Sequence, residues 1–388
     1  MACIDSLMKY KKEYDETKLY AISCRSLPYD VGELQTLSAH NLNIDLLIEL
    51  ACKKPIKCDS AKKIMQGIIS IHNDGFTSIV YEYIAPDRTK YAIKVKRSVI
   101  ETKSFDLFAS FDNELLRRID FLKLELKGIA KTLYASSKYN FIVSEWVEGV
   151  YIKHMSKISR SFISEALQLV LRLETHGFFD FDMNMTNIIY SQCGQPYIFD
   201  FGCIYRFDPR KECNPYGVKD TFFDGLERYK NTHMMRYLTR LERNGQNETA
   251  FDIYVVFVKV FKEVQKQKLN YLNALGADSW LLQRSHDCWK WYESCDVLED
   301  FTTRFVVDKY LSYVSTLEES QYYGIFDERY FSRVFELFHI MENDFNCLCN
   351  SNMMFEDDKA LNKKSLIEKY RDRYLERINL TNSSEEGY

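Results

Sequence analysis

Strand-type patterning in this 388-residue chain is concentrated in two short stretches, and the rest reads mostly as helix, interrupted by short apolar pieces around 187–205. From about residue 66 to 97, "GIISI", "TSIVYEYIA" and "KYAIKVK" are β-branched, aromatic and partly alternating, which is the pattern of half-buried strands. Turn residues separate them at Asp74-Gly75 and across "PDRTK", Pro86–Lys90. The expectation is a three-strand antiparallel meander. "KTLYASSKYNFIVSEWV" adds two more strands, with "SSKYN" as the turn. Between the two groups, "FDNELLRRIDFLKLELKGI" places Leu115, Ile119, Leu122 and Leu126 at helical spacing. The order is therefore a helical lead-in, a five-strand sheet with one inserted helix, and a helical remainder, an α+β arrangement.

Composition agrees. Only 14 Gly and 6 Pro occur against 27 Tyr and 26 Phe, which suits long helices with short connections better than a turn-rich β sandwich. A net charge of −4 gives no broad electrostatic reason to expect nucleic acid. The 11 cysteines are scattered without zinc-type spacing. They read as reduced thiols of a cytoplasmic protein. The N-terminal segment is charged and lacks a secretory apolar core, and no apolar run reaches the length of a membrane span. Helices near the C-terminus, such as "RYFSRVFELFHIMENDF" (Arg329–Phe345), carry apolar stripes that read first as packing on the parent lobe and second as a surface for a protein partner.

Three polar clusters interrupt apolar segments. Lys94 lies in "YAIKVK", where strand alternation points it away from Ile93 and Val95. Alone, it reads as a solvent-facing lysine on an edge strand. Asp182 and Asn187, in "FFDFDMNMTNIIY", are a carboxylate and a carboxamide that alone read as an Asx turn before a strand. Asp200 ends the apolar strand "PYIF" and precedes Phe201-Gly202, the glycine supplying a sharp turn. A carboxylate at the end of a buried strand is costly unless paired or holding a cation. Order and spacing reverse the isolated readings. Lys94 is followed by a helix bearing Glu114, then by the strand end "FIVSEWVEG", the Asp182–Asn187 loop and Asp200. That is the order of the protein-kinase signature set.

The set resembles the protein-kinase-like superfamily, and "FIVSEWVEGVYI", "DMNMTNIIYSQCGQPYIFDFGCIYRFDP" and "YAIKVKRSVIE" are most similar to its UbiB (AarF) branch of atypical kinases. The resemblance covers about residues 30 to 260. It implies a bilobal fold: a helical N-terminal extension over 1–65, a small sheet lobe over 66–148, a helical lobe over 149–290 and a helical C-terminal region over 291–388. It implies ATP and Mg2+ as cofactors. Lys94 would contact the α and β phosphates and Glu114 would hold Lys94, with Glu125 as a rival. Asp182 would orient the acceptor, and Asn187 and Asp200 would hold Mg2+. The adenine would lie along Glu145 to Val147 with Ser144 behind it, and Gly75 would sit in the phosphate-covering loop. Departures are specific. That loop, "HNDGFTS", has one glycine; Phe181 precedes the loop aspartate; Asp180 stands where kinases often carry His and reads as structural. No Ala-Pro-Glu follows Asp200, "NPYG" (Asn214–Gly217) being the nearest candidate. The expectation is an atypical kinase or ATPase acting on a small or lipid-linked acceptor, against a divergent Ser/Thr protein kinase or a nucleotide-binding scaffold without activity.

Overall fold

The computed structural model describes residues 37, 40–42, 45, 47, 68–72, 78–97, 111–183, 185–217, 219, 223–323, 328–351 and 353–385. Most of the helical extension expected over 1–65, and the loop holding Gly75, lie outside them. Five strands form one antiparallel sheet: β1 (Ile68–His72), β2 (Ser78–Ile84), β3 (Lys90–Lys96), β4 (Thr132–Ser136) and β5 (Phe141–Glu145). Their order is β1-β2-β3-β5-β4. Alternation gives the sheet two unlike faces. Ile79, Tyr81, Tyr83, Tyr91, Ile93, Val95, Phe141 and Val143 pack into one core with Leu37, Leu42 and Leu47 of the lead-in. The opposite face carries Lys94. The edge-strand reading of Lys94 is therefore corrected: β3 is central, flanked by β2 and β5.

Helix α1 (Phe111–Leu124) is inserted between β3 and β4. Its inward face is not the leucine stripe the spacing suggests. Leu115 is buried, but Leu122 is 39% exposed and Leu126 falls beyond the helix end. The buried positions include Asn113, Glu114, Arg117, Arg118 and Asp120. Charged groups tolerate such burial only when paired. The Lys94–Glu114 and Arg118–Glu114 ion pairs and the Arg206–Asp120 pair meet that requirement.

The helical lobe opens with short strands. β6 (Val150–Tyr151), β8 (Ile188–Tyr190) and β9 (Pro196–Ile198) form one ribbon; β7 (Phe178–Asp180) pairs with β10 (Ile204–Arg206). Between β6 and β7 runs α2 (Arg160–Thr175), capped by Ser159, whose Oγ accepts the Phe162 N–H at 3.2 Å. Gly177 ends the connection at φ +74°, and a Cβ there would lie 2.4 Å from the Phe207 carbonyl oxygen, so only glycine fits. The chain continues through α3 (Gly225–Tyr229), a π turn (Lys230–Met234), α4 (Met235–Arg243), α5 (Asn247–Ala274), α6 (Ser279–Glu293), α7 (Leu298–Tyr323), α8 (Glu328–Asn343), α9 (Phe345–Ser351), α10 (Glu356–Lys359) and α11 (Lys363–Glu385). Helix α11 extends into the polar tail "NSSEEGY" as far as Glu385. None of the described helices is long and apolar enough to cross a membrane.

The C-terminal helices are part of the lobe. Val307, Tyr310, Leu337 and Leu366 share a core with Phe179, Tyr205 and Tyr216, and α6 runs across the boundary expected at 290/291. A buried polar knot fastens α7 to the π turn. The Lys230 ammonium lies 2.6 Å from Glu227 and 2.6 Å from Asp308 and donates to Tyr292 Oη at 2.7 Å. Tyr254 donates to the other oxygen of Asp308 at 2.7 Å. Removing Asp308 leaves Lys230 with Glu227 alone and takes the acceptor from the buried Tyr254 and Tyr292 hydroxyls. Asp308→Ala is expected to destabilise the fold by about 3–5 kcal/mol, read from urea denaturation midpoints.

Candidate active site

The cleft between sheet and helical lobe is organised around one lysine. Its Nζ lies 2.6 Å from Glu114 Oε2 and 2.9 Å from Asp200 Oδ1. The Lys94 side chain is only 10% exposed. Burial alone would depress its pKa, but Asp200 and Glu114 outweigh it and raise the ammonium above its ordinary value. The free oxygen of Glu114 is taken by Arg118 at 2.8 Å. Arg118 in turn donates to Thr132 Oγ1 at 3.1 Å and lies over the Phe201 ring at 4.5 Å. Glu125, the rival acid, sits past the end of α1 at φ 48°, exposed. The helix therefore presents Glu114, and not Glu125, to Lys94.

Asp200 adopts a left-handed backbone, φ 69° and ψ 74°, unusual for a residue with a Cβ. The sharp turn is thus made by the aspartate itself, ahead of Gly202. Surrounding contacts impose it. Phe201 is fully buried and meets Phe121 edge-on at 4.9 Å. Asn113 on α1 donates to the carbonyls of Gly202 and Ile204, each at 2.9 Å. The Asp200 side chain is 40% exposed. Burial pushes its carboxyl up, but Lys94 wins and holds it below the ordinary carboxylate value.

The loop from β7 to β8 brings Asp182 and Asn187 together. The Asn187 Nδ2 donates to the Asp182 carbonyl and to its Oδ2, both at 2.8 Å. With the nitrogen committed, the carboxamide oxygen is the atom left to meet a cation. The loop is braced from behind. Arg228 donates to the Phe181 carbonyl and Thr232 to the Met183 carbonyl. The Phe181 ring packs among Phe179, Tyr205 and Tyr216. Asp180 is buried, and its Oδ1 accepts the Asp182 N–H at 2.8 Å. Burial first, then the Asp182 charge, push its carboxyl up to about 7.

At the far end of β5, Ser144 is buried and paired across from Ala92. Glu145 is exposed; its N–H reaches the Lys131 carbonyl at 3.0 Å and its Oε1 accepts the Lys131 N–H at 2.8 Å. Val147 follows in irregular backbone, half-buried. No group of three His, Cys, Asp or Glu residues among the described ones could hold a metal alone. Mg2+ takes one or two carboxylates from the protein and completes its shell with phosphate and water. Asp200 and Asn187 provide such a partial donor set, and Lys94 beside Asp200 suits the phosphates that would accompany it.

The sequence reading missed Asn113, Arg118 and the buried state of Asp180. Arg118 had a signal, since it lies one turn beyond Glu114 on α1. Asn113 had none, because its partners are backbone carbonyls some ninety residues away.

Residues 86–216 match the family model described as the ABC1 atypical kinase-like domain. The matched segment contains Lys94, Glu114, Ser144, Glu145, Asp182, Asn187 and Asp200. No curated protein matches the chain. Among solved structures, the Rio2 kinase from Chaetomium thermophilum is similar at 17% identity and a TM-score of 0.31, over 48% of this chain and 62% of that one. The chain thus spans less than two thirds of that structure. The protein-kinase-like resemblance, on the UbiB/AarF side, is borne out, and so is the α+β architecture with its five-strand antiparallel sheet.

Asp180 gives a pH test of this geometry. Its folded carboxyl titrates near 7, against 3.8 for an unperturbed one. Between those values the folded chain holds a proton that the unfolded chain has lost, so its share of stability falls as pH rises. Asp180→Asn should flatten part of the wild-type decline in urea midpoint from pH 4 to 7. Parallel curves for the two proteins would contradict a buried, proton-holding Asp180.

Proposed function

We propose that this protein is an Mg2+- and ATP-dependent phosphotransferase of the atypical-kinase type, acting on the hydroxyl of a small or lipid-linked acceptor. The observation that carries the reading is the single ammonium of Lys94 held by both Glu114 and Asp200, with the Asp182–Asn187 pair on the neighbouring loop. In this reading Lys94 neutralises the α and β phosphates, and Glu114 keeps the ammonium in place. Asn187 and Asp200 would hold Mg2+, which when bound supplies charge neutralisation at the β and γ phosphates. Asp182 orients the acceptor hydroxyl and takes its proton. The acceptor oxygen forms the new bond to the γ phosphorus as the β–γ bridging bond breaks, and ADP leaves. The adenine would lie along Glu145 to Val147, in front of Ser144, with Gly75 in the loop over the phosphates.

The segment after Asp200 supports a small acceptor over a protein one. Cys213, Asn214, Tyr216, Phe223 and Asp224 are buried, and the Asn214 carboxamide closes the segment on itself by donating to the Phe223 carbonyl at 3.1 Å. These residues are spent on the core rather than offered as a groove for an extended peptide.

Calorimetry with Mg-ATP and Mg-ADP tests the reading. Wild type should bind both, and Asp200→Ala should lose the magnesium-dependent part; equal binding in the two proteins would remove Asp200 from the metal role. Asp182→Ala should keep nucleotide affinity while turnover falls by roughly 10²- to 10⁴-fold. Nucleotide binding without any turnover in wild type would leave the scaffold reading in its place.

A further inference from the structure

An aromatic pair, His72 of β1 and Trp146 just after β5, lies at the margin of the sheet's cleft face. Register fixes which residues share that face. His72 pairs with Val80, Val80 with Lys94 and Lys94 with Ile142; Ser70 pairs with Glu82, Glu82 with Ala92 and Ala92 with Ser144. Directly paired residues point the same way, so Ser70, His72, Val80, Glu82 and Ala92 lie on the side of Lys94, roofing the cleft. Val80 and Ala92 give that roof a small apolar centre. At its margin the His72 ring meets the Trp146 ring, centroids 5.8 Å apart and planes 31° from parallel. Trp146 is the first residue after β5, on the link between the lobes, and its N–H reaches the Lys90 carbonyl at 3.3 Å. The pair thus joins edge strand β1 to the inter-lobe link.

A polar chain sets the His72 ring. The Ser70 hydroxyl donates to Glu82 at 2.7 Å, so its oxygen is the acceptor toward His72 Nε2 at 3.2 Å. Glu82 is paired with Lys90 at 3.0 Å, and Lys90 also with Glu148 of the link. The imidazole is held by its nitrogen on one side and by the indole on the other. An exposed histidine has no structural need for such fixing.

We propose that His72 and Trp146 form an aromatic gate at the nucleobase end of the cleft. The rings part when a purine enters between the sheet and the inter-lobe link, and His72 then covers the outer edge of the base. The gate rests on the reading of the cleft as a nucleotide site. It assigns recognition of the base to a flat aromatic contact, which favours the larger purine face over a pyrimidine.

Tryptophan emission reads the gate directly. The chain has 4 Trp, and the other three, Trp280, Trp289 and Trp291, all sit on α6. Titration with Mg-ADP should change wild-type emission saturably. Trp146→Phe should abolish that change while calorimetry still detects binding. Loss of the contact in His72→Ala should weaken Mg-ADP by about two- to tenfold, weaken Mg-UDP less, and leave the magnesium dependence intact. Unchanged Mg-ADP affinity in His72→Ala with silent Trp146 overturns the gate and leaves the proposed function standing. No Mg-ADP binding by wild type in calorimetry overturns the proposed function, and the gate with it.

Discussion

One buried ammonium ties the two lobes together. Lys94 comes from the central strand, Glu114 from the inserted helix and Asp200 from the turn between β9 and β10. Taking the Lys94 and Glu114 charges out of water is costly unless geometry and further hydrogen bonds compensate. Here the compensation is explicit. Arg118 satisfies the second oxygen of Glu114 and spreads its positive charge over Phe201. Asn113 satisfies the carbonyls that the left-handed Asp200 turn would otherwise leave bare. Helix α1 therefore carries both the acid that holds the lysine and the amide that holds the aspartate's turn. The helix and the Asp-Phe-Gly segment behave as one body, because moving either alone breaks several buried bonds.

The helical lobe fixes the other half of the cleft by a longer chain of the same kind. Lys268 on α5 lies 2.9 Å from Glu174 at the end of α2 and makes a second pair with Asp224, 2.5 Å away. Glu174 accepts the Gly225 N–H at 2.7 Å, and Asp224 caps α3 by accepting the Glu227 N–H at 3.3 Å. The start of α3 is thereby set, and α3 with its π turn delivers Arg228 and Thr232 to the back of the Asp182 loop. On the far side of the same turn, Lys230 reaches α7 through Asp308. The C-terminal helices thus bear on the loop through α3, and they also share a core with Phe179 and Tyr216.

The sheet was legible because its strands are rich in β-branched and aromatic residues, alternating most clearly in β2, and because turn residues such as Asp74-Gly75 and Pro86-Asp87 separate the first three. The candidate site was legible as an order of residues, and the structure brings Glu114, rather than Glu125, to Lys94. Three things were hidden for physical reasons. The burial of Lys94 depends on β5 pairing with β3, a contact between segments about fifty residues apart, and no local pattern distinguishes a central strand from an edge. The leucines of α1 suggested an apolar face, yet half of its buried positions are charged, Glu114 and Asp120 pairing with Lys94 and Arg206 on other elements and Arg117 and Arg118 pairing back to them within the helix. Asp180 read as structural, but its burial had no local signal. Only the pairing of β7 with β10 shows that it is sealed in and faces the N–H of Asp182.

The charge balance of the cleft bears on what it can admit. Asp180, Asp182, Asp200 and Glu114 supply four acidic groups, while Lys94, Arg118 and Arg228 supply three basic ones, two of them turned to bracing. With one net negative charge, such a cleft sets a modest barrier to a free polyphosphate. Two features lower that barrier. Asp180 titrates near 7 and so is partly neutral at physiological pH. Lys94 is already placed where phosphates would need it, and a divalent cation between Asp200 and Asn187 would reverse the sign of the local field. A nucleotide would therefore enter as its magnesium complex, and affinity for the free polyphosphate should be intrinsically poor. On this view the acid-rich lining makes the proposed site selective for the metal-bound form of its ligand.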